Sequence, residues 1–179
     1  KASKKDKAFG VAFKAADIPG SGPASVDADV SFASRSTSKN GAQVYSDPTM
    51  NFTVQANTQN TGNLVKALTG QTNIPVISTS RIGKFYIKGN AKPGRFALND
   101  SVVNLDDLKV LMGGSVRQGE AKPILDMNIS SSIDDPYAFA KSINVKTESW
   151  PENLGAMRIG ADLKGTMDDL MTDASVNAF

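Results

Sequence analysis

Residues 50–56 read Met-Asn-Phe-Thr-Val-Gln-Ala, a strict alternation of apolar and polar side chains. Successive side chains of a β-strand point to opposite faces. Met50, Phe52, Val54 and Ala56 therefore share one face, and Asn51, Thr53 and Gln55 share the other. The same period of two recurs outward from this stretch. Phe9, Val11, Phe13 and Ala15 stand against Gly10, Ala12 and Lys14; Val26, Ala28, Val30 and Phe32 against Asp27, Asp29 and Ser31. Towards the C-terminus, Leu125, Met127 and Ile129 oppose Asp126, Asn128 and Ser130, and Met157, Ile159, Ala161 and Leu163 oppose Arg158, Gly160 and Asp162. Buried parallel strands read as continuous apolar runs, so this alternation predicts antiparallel pairing with one face wet.

Between these segments, residues 84–132 read as a meander with strands at 85–91, 95–98, 101–112, 115–118 and 124–131. Asn99-Asp100 and Gly113-Gly114 supply turn chemistry at its breaks. The apolar phase shifts at Asp106-Asp107: Val103 and Leu105 have one parity, Leu108, Val110 and Met112 the other. A bulge or tight turn there lets both halves present apolar residues to the same side. Two short helices are predicted. One spans residues 63–68 and stops at Gly70; the other follows Asp135 as N-cap, with Pro136 at its first position. Neither is long enough to be stable without packing on the sheet. Residues 18–24, 36–42 and 147–155 read as loops. The expected fold is mainly β, an antiparallel and strongly twisted or curved sheet, groove-like or sandwich-like, with two short helices, over one section spanning residues 1–179.

Composition removes much chemistry. The chain has no cysteine, so thiol nucleophiles, thiolate metal sites and disulfides are excluded. It has no histidine, which removes the commonest general base and the commonest metal ligand. Lys and Arg number 20 against 18 Asp and Glu, a balance that does not point to nucleic acid. The cluster Lys1, Lys4, Lys5 and Lys7 reads as a solvated terminal tail. Adjacent carboxylates occur at Asp106-Asp107, Asp134-Asp135 and Asp168-Asp169. Neighbours on a strand point to opposite faces and no calcium-loop spacing accompanies them, so turn and capping roles are expected. Gly113-Gly114-Ser115 lacks the lysine and following helix of a phosphate loop. Trp150, beside Pro151, is expected to anchor a loop. No catalytic, cofactor or metal site is read from the chain, and no apolar run approaches the roughly 20 residues of a spanning helix.

Stretches taken in order resemble the AsmA-like family of bacterial envelope proteins. They are GNLVKALTGQTNIPV (residues 62–76), FYIKGNAKPGRFALNDSVVNLDDLKVLMGGSVRQGEAKPILDMNISSSI (85–133), DDPYAFAKSI (134–143) and IGADLKGTMDDLMTDASVNAF (159–179). Within the second, Leu108, Gly113, Ser115, Gly119, Lys122, Pro123, Leu125, Met127 and Ile129 stand at positions corresponding to the family's repeated pattern. Ile87-Lys88-Gly89 and Leu163-Lys164-Gly165 suggest a repeated unit. The resemblance implies a non-catalytic periplasmic section of a larger protein, tethered to the inner membrane by an anchor outside these residues. It also implies a part in phospholipid transport and outer-membrane biogenesis, with phospholipid and envelope proteins as partners.

On that reading the apolar stripe is the candidate functional surface, represented by Met50, Phe52, Val54, Leu125, Met127 and Ile129. Periodicity alone serves an open lipid groove and a dry sandwich core equally well. The alternative function is a structural or adhesive β-domain that binds a protein through a sheet edge.

Overall fold

A computed structural model describes residues 5–16, 18, 23–39, 42–45, 48–70, 82–166 and 168–179. The strands are β1 (Lys5–Ala16), β2 (Ala24–Lys39), β3 (Ala42–Tyr45), β4 (Thr49–Thr58), β5 (Gly83–Lys92), β6 (Arg95–Leu105), β7 (Leu108–Gln118), β8 (Pro123–Ile133), β9 (Met157–Thr166) and β10 (Asp169–Ala178). Helix α1 (Thr61–Thr69) joins β4 to β5, and α2 (Pro136–Ser142) precedes β9. All strands belong to one antiparallel sheet in the order β1-β2-β4-β5-β6-β7-β8-β9-β10, with β3 paired to β2 beside this path. The path is open, with β1 at one edge and β10 at the other. The fold is thus mainly β with two short helices, as the alternation predicts.

Each helix carries its predicted cap, Gly70 at the end of α1 and Asp135 at the start of α2, and α1 has a further one in Asn60. The Asn60 side chain accepts a hydrogen bond from the Asn63 N–H at 2.9 Å, and Gly70 ends α1 in the left-handed conformation, φ 71°. Asp135 accepts from the Ala138 N–H at 2.9 Å, with Pro136 opening α2. One carboxylate of the Asp134-Asp135 pair therefore has the expected capping role.

The strand breaks differ from expectation in informative ways. The phase change at Asp106-Asp107 is a tight turn: Leu105 pairs with Leu108 across it, and Asp106 takes φ 49°, which aspartate tolerates. Asn99-Asp100 is no turn. It is a bulge inside β6, with Asp100 at φ 49° and the register shifting between Leu98 and Ser101 against β7 and between Leu98 and Val102 against β5. The extra residue flips the apolar parity of β6 from Phe96 and Leu98 to Ser101, Val103 and Leu105. Gly113-Gly114 is no turn either, because β7 runs straight through it with Gly114 paired to Met127. Gly114 holds φ 119°, and a Cβ there would strike the Asp126 carbonyl, so the strand approaches its neighbour as only glycine allows.

Residues 36–39, expected in a loop, extend β2, and Lys5 and Lys7 lie on β1 rather than in a tail. Of the other expectations, Lys1 and Lys4, residues 19–22 of the first loop and residues 40–41 of the second fall outside the described residues. Ile87-Lys88-Gly89 and Leu163-Lys164-Gly165 occupy different rows of the sheet, since Gly89 faces Phe52 and Leu98 whereas Gly165 faces Leu125 and Leu170. The repetition present is a different one: after β4, and again four strands later after β8, the chain leaves the sheet through a short helix at the same end.

That end holds the buried core. Leu64 of α1, 2% exposed, packs with Ala24 and Ala56, flanked by Ile18, Val26 and Phe85. Leu105, Leu108 and Ile133 form a second cluster with Phe139 of α2, Met157, Ile159 and again Phe85. Trp150 anchors the loop after α2: its ring meets Tyr137 at 5.7 Å, and the Tyr137 hydroxyl donates to the Pro151 carbonyl.

Candidate functional site: an uncovered apolar face

Directly paired residues of an antiparallel sheet point to the same side, so the register assembles the separate stripes into rows. One row runs Val11, Val30, Phe52, Gly89, Leu98, Gly114, Met127, Leu163 and Thr172, crossing nine strands without leaving the face. The row towards the β5–β6 turn includes Phe9, Phe32, Met50, Phe96, Val116 and Leu125. The row on the other side includes Phe13, Val54, Ile87, Met112 and Ile129. The bulge in β6 keeps this continuity; without its extra residue one half of β6 would turn its apolar residues to the polar side.

The six candidate residues fall on this one face as two triplets. Met50 shares a row with Leu125, Phe52 with Met127, and Val54 with Ile129, with β5, β6 and β7 between them. They do not form one contact cluster: four strand spacings separate the triplets, about 19 Å. All six are half-buried. Across these three rows no described side chain larger than serine is fully buried, and towards β1 Phe9, Val11 and Phe13 are 61%, 52% and 58% exposed. Extensive contacts between elements run only between strands paired in the sheet, so no second sheet lies over this face among the described residues.

Side chains within the face cover one another instead. The Phe52 and Phe96 rings stack at 5.6 Å although β5 lies between their strands. Gly89 and Ala91 of β5 make room for them, and a Cβ on Gly89 would collide with the Phe52 ring. Phe9 and Phe32 stack likewise at 5.4 Å. Ser101, fully buried at the bulge, restores polar pairing there: its hydroxyl accepts from the Lys88 N–H and donates to the Lys88 carbonyl, both at 3.1 Å.

The opposite face is shallowly indented and carries most of the charged and amide side chains, with Tyr86, Val102 and Leu111 forming one apolar row across β5, β6 and β7. One depression of about 390 Å³ is lined by Lys109, Ser130, Ser132, Arg158 and Asn177, among others. Nearby, the Asn128 amide donates to Asp162 at 2.7 Å. Among the described residues no group of three or more acidic side chains is placed to hold a metal ion, and no helix is long and apolar enough to cross a membrane. No family model, no curated protein and no solved structure matches the chain.

Proposed function

We propose that this chain is a non-catalytic, lipid-handling section of an AsmA-like envelope protein. In this role its apolar sheet face shields the acyl chains of phospholipids moving between membranes during outer-membrane biogenesis. The proposed setting is the periplasm, with the inner-membrane tether outside these residues.

The main support is the continuous apolar face left without a covering layer. A soluble domain rarely exposes contiguous apolar surface beyond a few hundred Å², and larger patches mark binding surfaces. Nine strands at about 4.8 Å give a width near 38 Å, and three rows two residues apart give about 14 Å along the strands. An acyl chain, half of a bilayer's roughly 30 Å hydrocarbon core, fits when it lies across the strands. Each methylene moved from water onto the face gains about 0.8 kcal/mol, so partial shielding of one chain holds it firmly. The motif resemblance adds the family and the compartment.

Lipid extraction tests the reading. The purified chain is incubated with phospholipid vesicles, separated, and analysed by native mass spectrometry and by transfer of labelled phospholipid between vesicle populations. Bound lipid and transfer are expected; protein that stays lipid-free and transfers nothing refutes the proposal. A second reading draws on β10, which is exposed along its length and pairs on one side only. Such an edge can accept a strand from a protein partner. Stoichiometric capture of a partner with no lipid dependence would favour that alternative.

A further inference from the structure

On the face opposite the proposed lipid surface, one row of directly paired residues is polar at every position from β5 to β10. It runs Lys84, Asn104, Lys109, Ser132, Arg158 and Asn177. Its three cations stand on alternate strands, two strand spacings or about 10 Å apart, with an amide or a hydroxyl between them. Among the described residues none of the three forms an ion pair. The row beside it begins with Tyr86, Val102 and Leu111 and continues through Ser130, Gly160 and Ser175. Tyr86 and Leu111 are 36% and 41% exposed, so apolar surface lies open next to the cations.

The two rows meet in the depression of about 390 Å³, which takes Lys109, Ser132 and Arg158 from the first and Leu111, Ser130 and Gly160 from the second. Gly160 has no side chain to fill it. The Arg158 guanidinium lies over the Phe179 ring, 5.2 Å from its centroid, a contact that leaves its N–H groups available to a ligand. Carboxylates surround the depression without lining it: Asp106, Asp107 and Asp134 stand in the turns beyond the first row, and Asp162 pairs with Asp173 one row past the second. A bare anion is drawn to the cations and repelled by these acids. A sugar hydroxyl donates to carboxylates and accepts from Lys, Arg and amides, so it suits both.

We propose that these two rows bind an anionic oligosaccharide lying across β5 to β10. Its acidic groups sit on Lys84, Lys109 and Arg158, its hydroxyls on the amides and serines between them, and its C–H faces on Tyr86, Val102 and Leu111. The site is on the other side of the sheet from the lipid surface and does not depend on the lipid-handling reading. Strands β5 to β9 are paired on both sides, so a peptide cannot add here as a strand and recognition is by side chains alone. At the far end of the same face, Lys92, Arg95 and Arg117 follow one another directly with no hydrogen-bonding residue between them. That arrangement suits a compact polyanion and not a saccharide.

The test titrates the full chain with hexagalacturonate, and with maltohexaose as its neutral counterpart, by calorimetry and by NMR of the backbone amides. Hexagalacturonate is expected to bind and to shift amides of the two rows on β7, β8 and β9, and maltohexaose to bind at least tenfold more weakly. Loss of two exposed charge contacts in K109Q/R158Q is expected to weaken hexagalacturonate about tenfold, or about 1.4 kcal/mol. K109R/R158K, which keeps both charges, is expected to retain most of the affinity. K88Q/K164Q, with the same loss of charge elsewhere on this face, is expected to change it less than twofold. No binding, or equal binding of maltohexaose, overturns the proposal. So does a loss produced by R95Q/R117Q in place of K109Q/R158Q, which would put the ligand at the far end of the face. Inorganic phosphate bound as tightly as hexagalacturonate identifies a free-anion site and overturns it as well.

Discussion

Truncating one side chain on the open face and one beneath the helices separates a groove from a core. Leu105 is 2% exposed among Leu108, Ile133 and Phe85, so Leu105→Ala removes buried methylenes and leaves a cavity. Such replacements cost about 2–5 kcal/mol. Met127 is half-buried in an uncovered row. Full burial of a methionine side chain is worth about 1.5–3 kcal/mol, of which a half-buried one that keeps its Cβ forfeits a fraction. No cavity term applies, because the vacated space opens to solvent. Met127→Ala on lipid-free protein is therefore expected to cost about 1 kcal/mol. Urea denaturation of the two variants and wild type, with matching slopes, gives the comparison. Equal losses, both above about 2 kcal/mol, would mean that a layer packs on Met127 and would refute the open face. With phospholipid bound, which stabilises the folded state by mass action, the Met127→Ala deficit is expected to grow while that of Leu105→Ala does not.

Two further predictions probe the devices that keep the face continuous. Ser101→Ala strands the Lys88 N–H and carbonyl at the bulge and is expected to cost about 1–3 kcal/mol, with faster amide exchange along β5 and β6 by NMR; unchanged exchange would show that the hydroxyl is dispensable. Gly89→Ala places a methyl against the Phe52 ring and the Ala97 carbonyl, for an expected loss of about 1–3 kcal/mol in thermal denaturation. Adding Phe52→Ala should recover part of that loss in a double-mutant cycle, and strict additivity would show that the ring is not the obstacle.

How much of the fold the sequence specified varies with the range of each signal. Period-two alternation is local, so the facing of Met50, Phe52 and Val54, or of Leu125, Met127 and Ile129, was legible without any partner strand. So were the caps at Asp135 and Gly70, which depend on a few neighbouring residues. Asn99-Asp100 and Gly113-Gly114 were not, because their residues serve turns and bulges alike. Only strand pairing decides that one is an extra residue in β6 and the other a close approach inside β7. The clue available was the parity switch between Leu98 and Val103, which a continuous strand can make only through a bulge.

The pairing of Arg95 with Arg117 on the polar face was also invisible in one dimension. Arg95 and Arg117 are 22 positions apart, and register alone sets them side by side. Sequence by itself therefore determined that each strand has an apolar and a polar face, since side-chain direction follows from the backbone of a single strand. Tertiary structure decided that these faces join into one surface, that the helices cover only one end of it, and that no second sheet covers the rest. Those outcomes depend on which segments meet, and pairing between distant segments leaves no mark in the period of either.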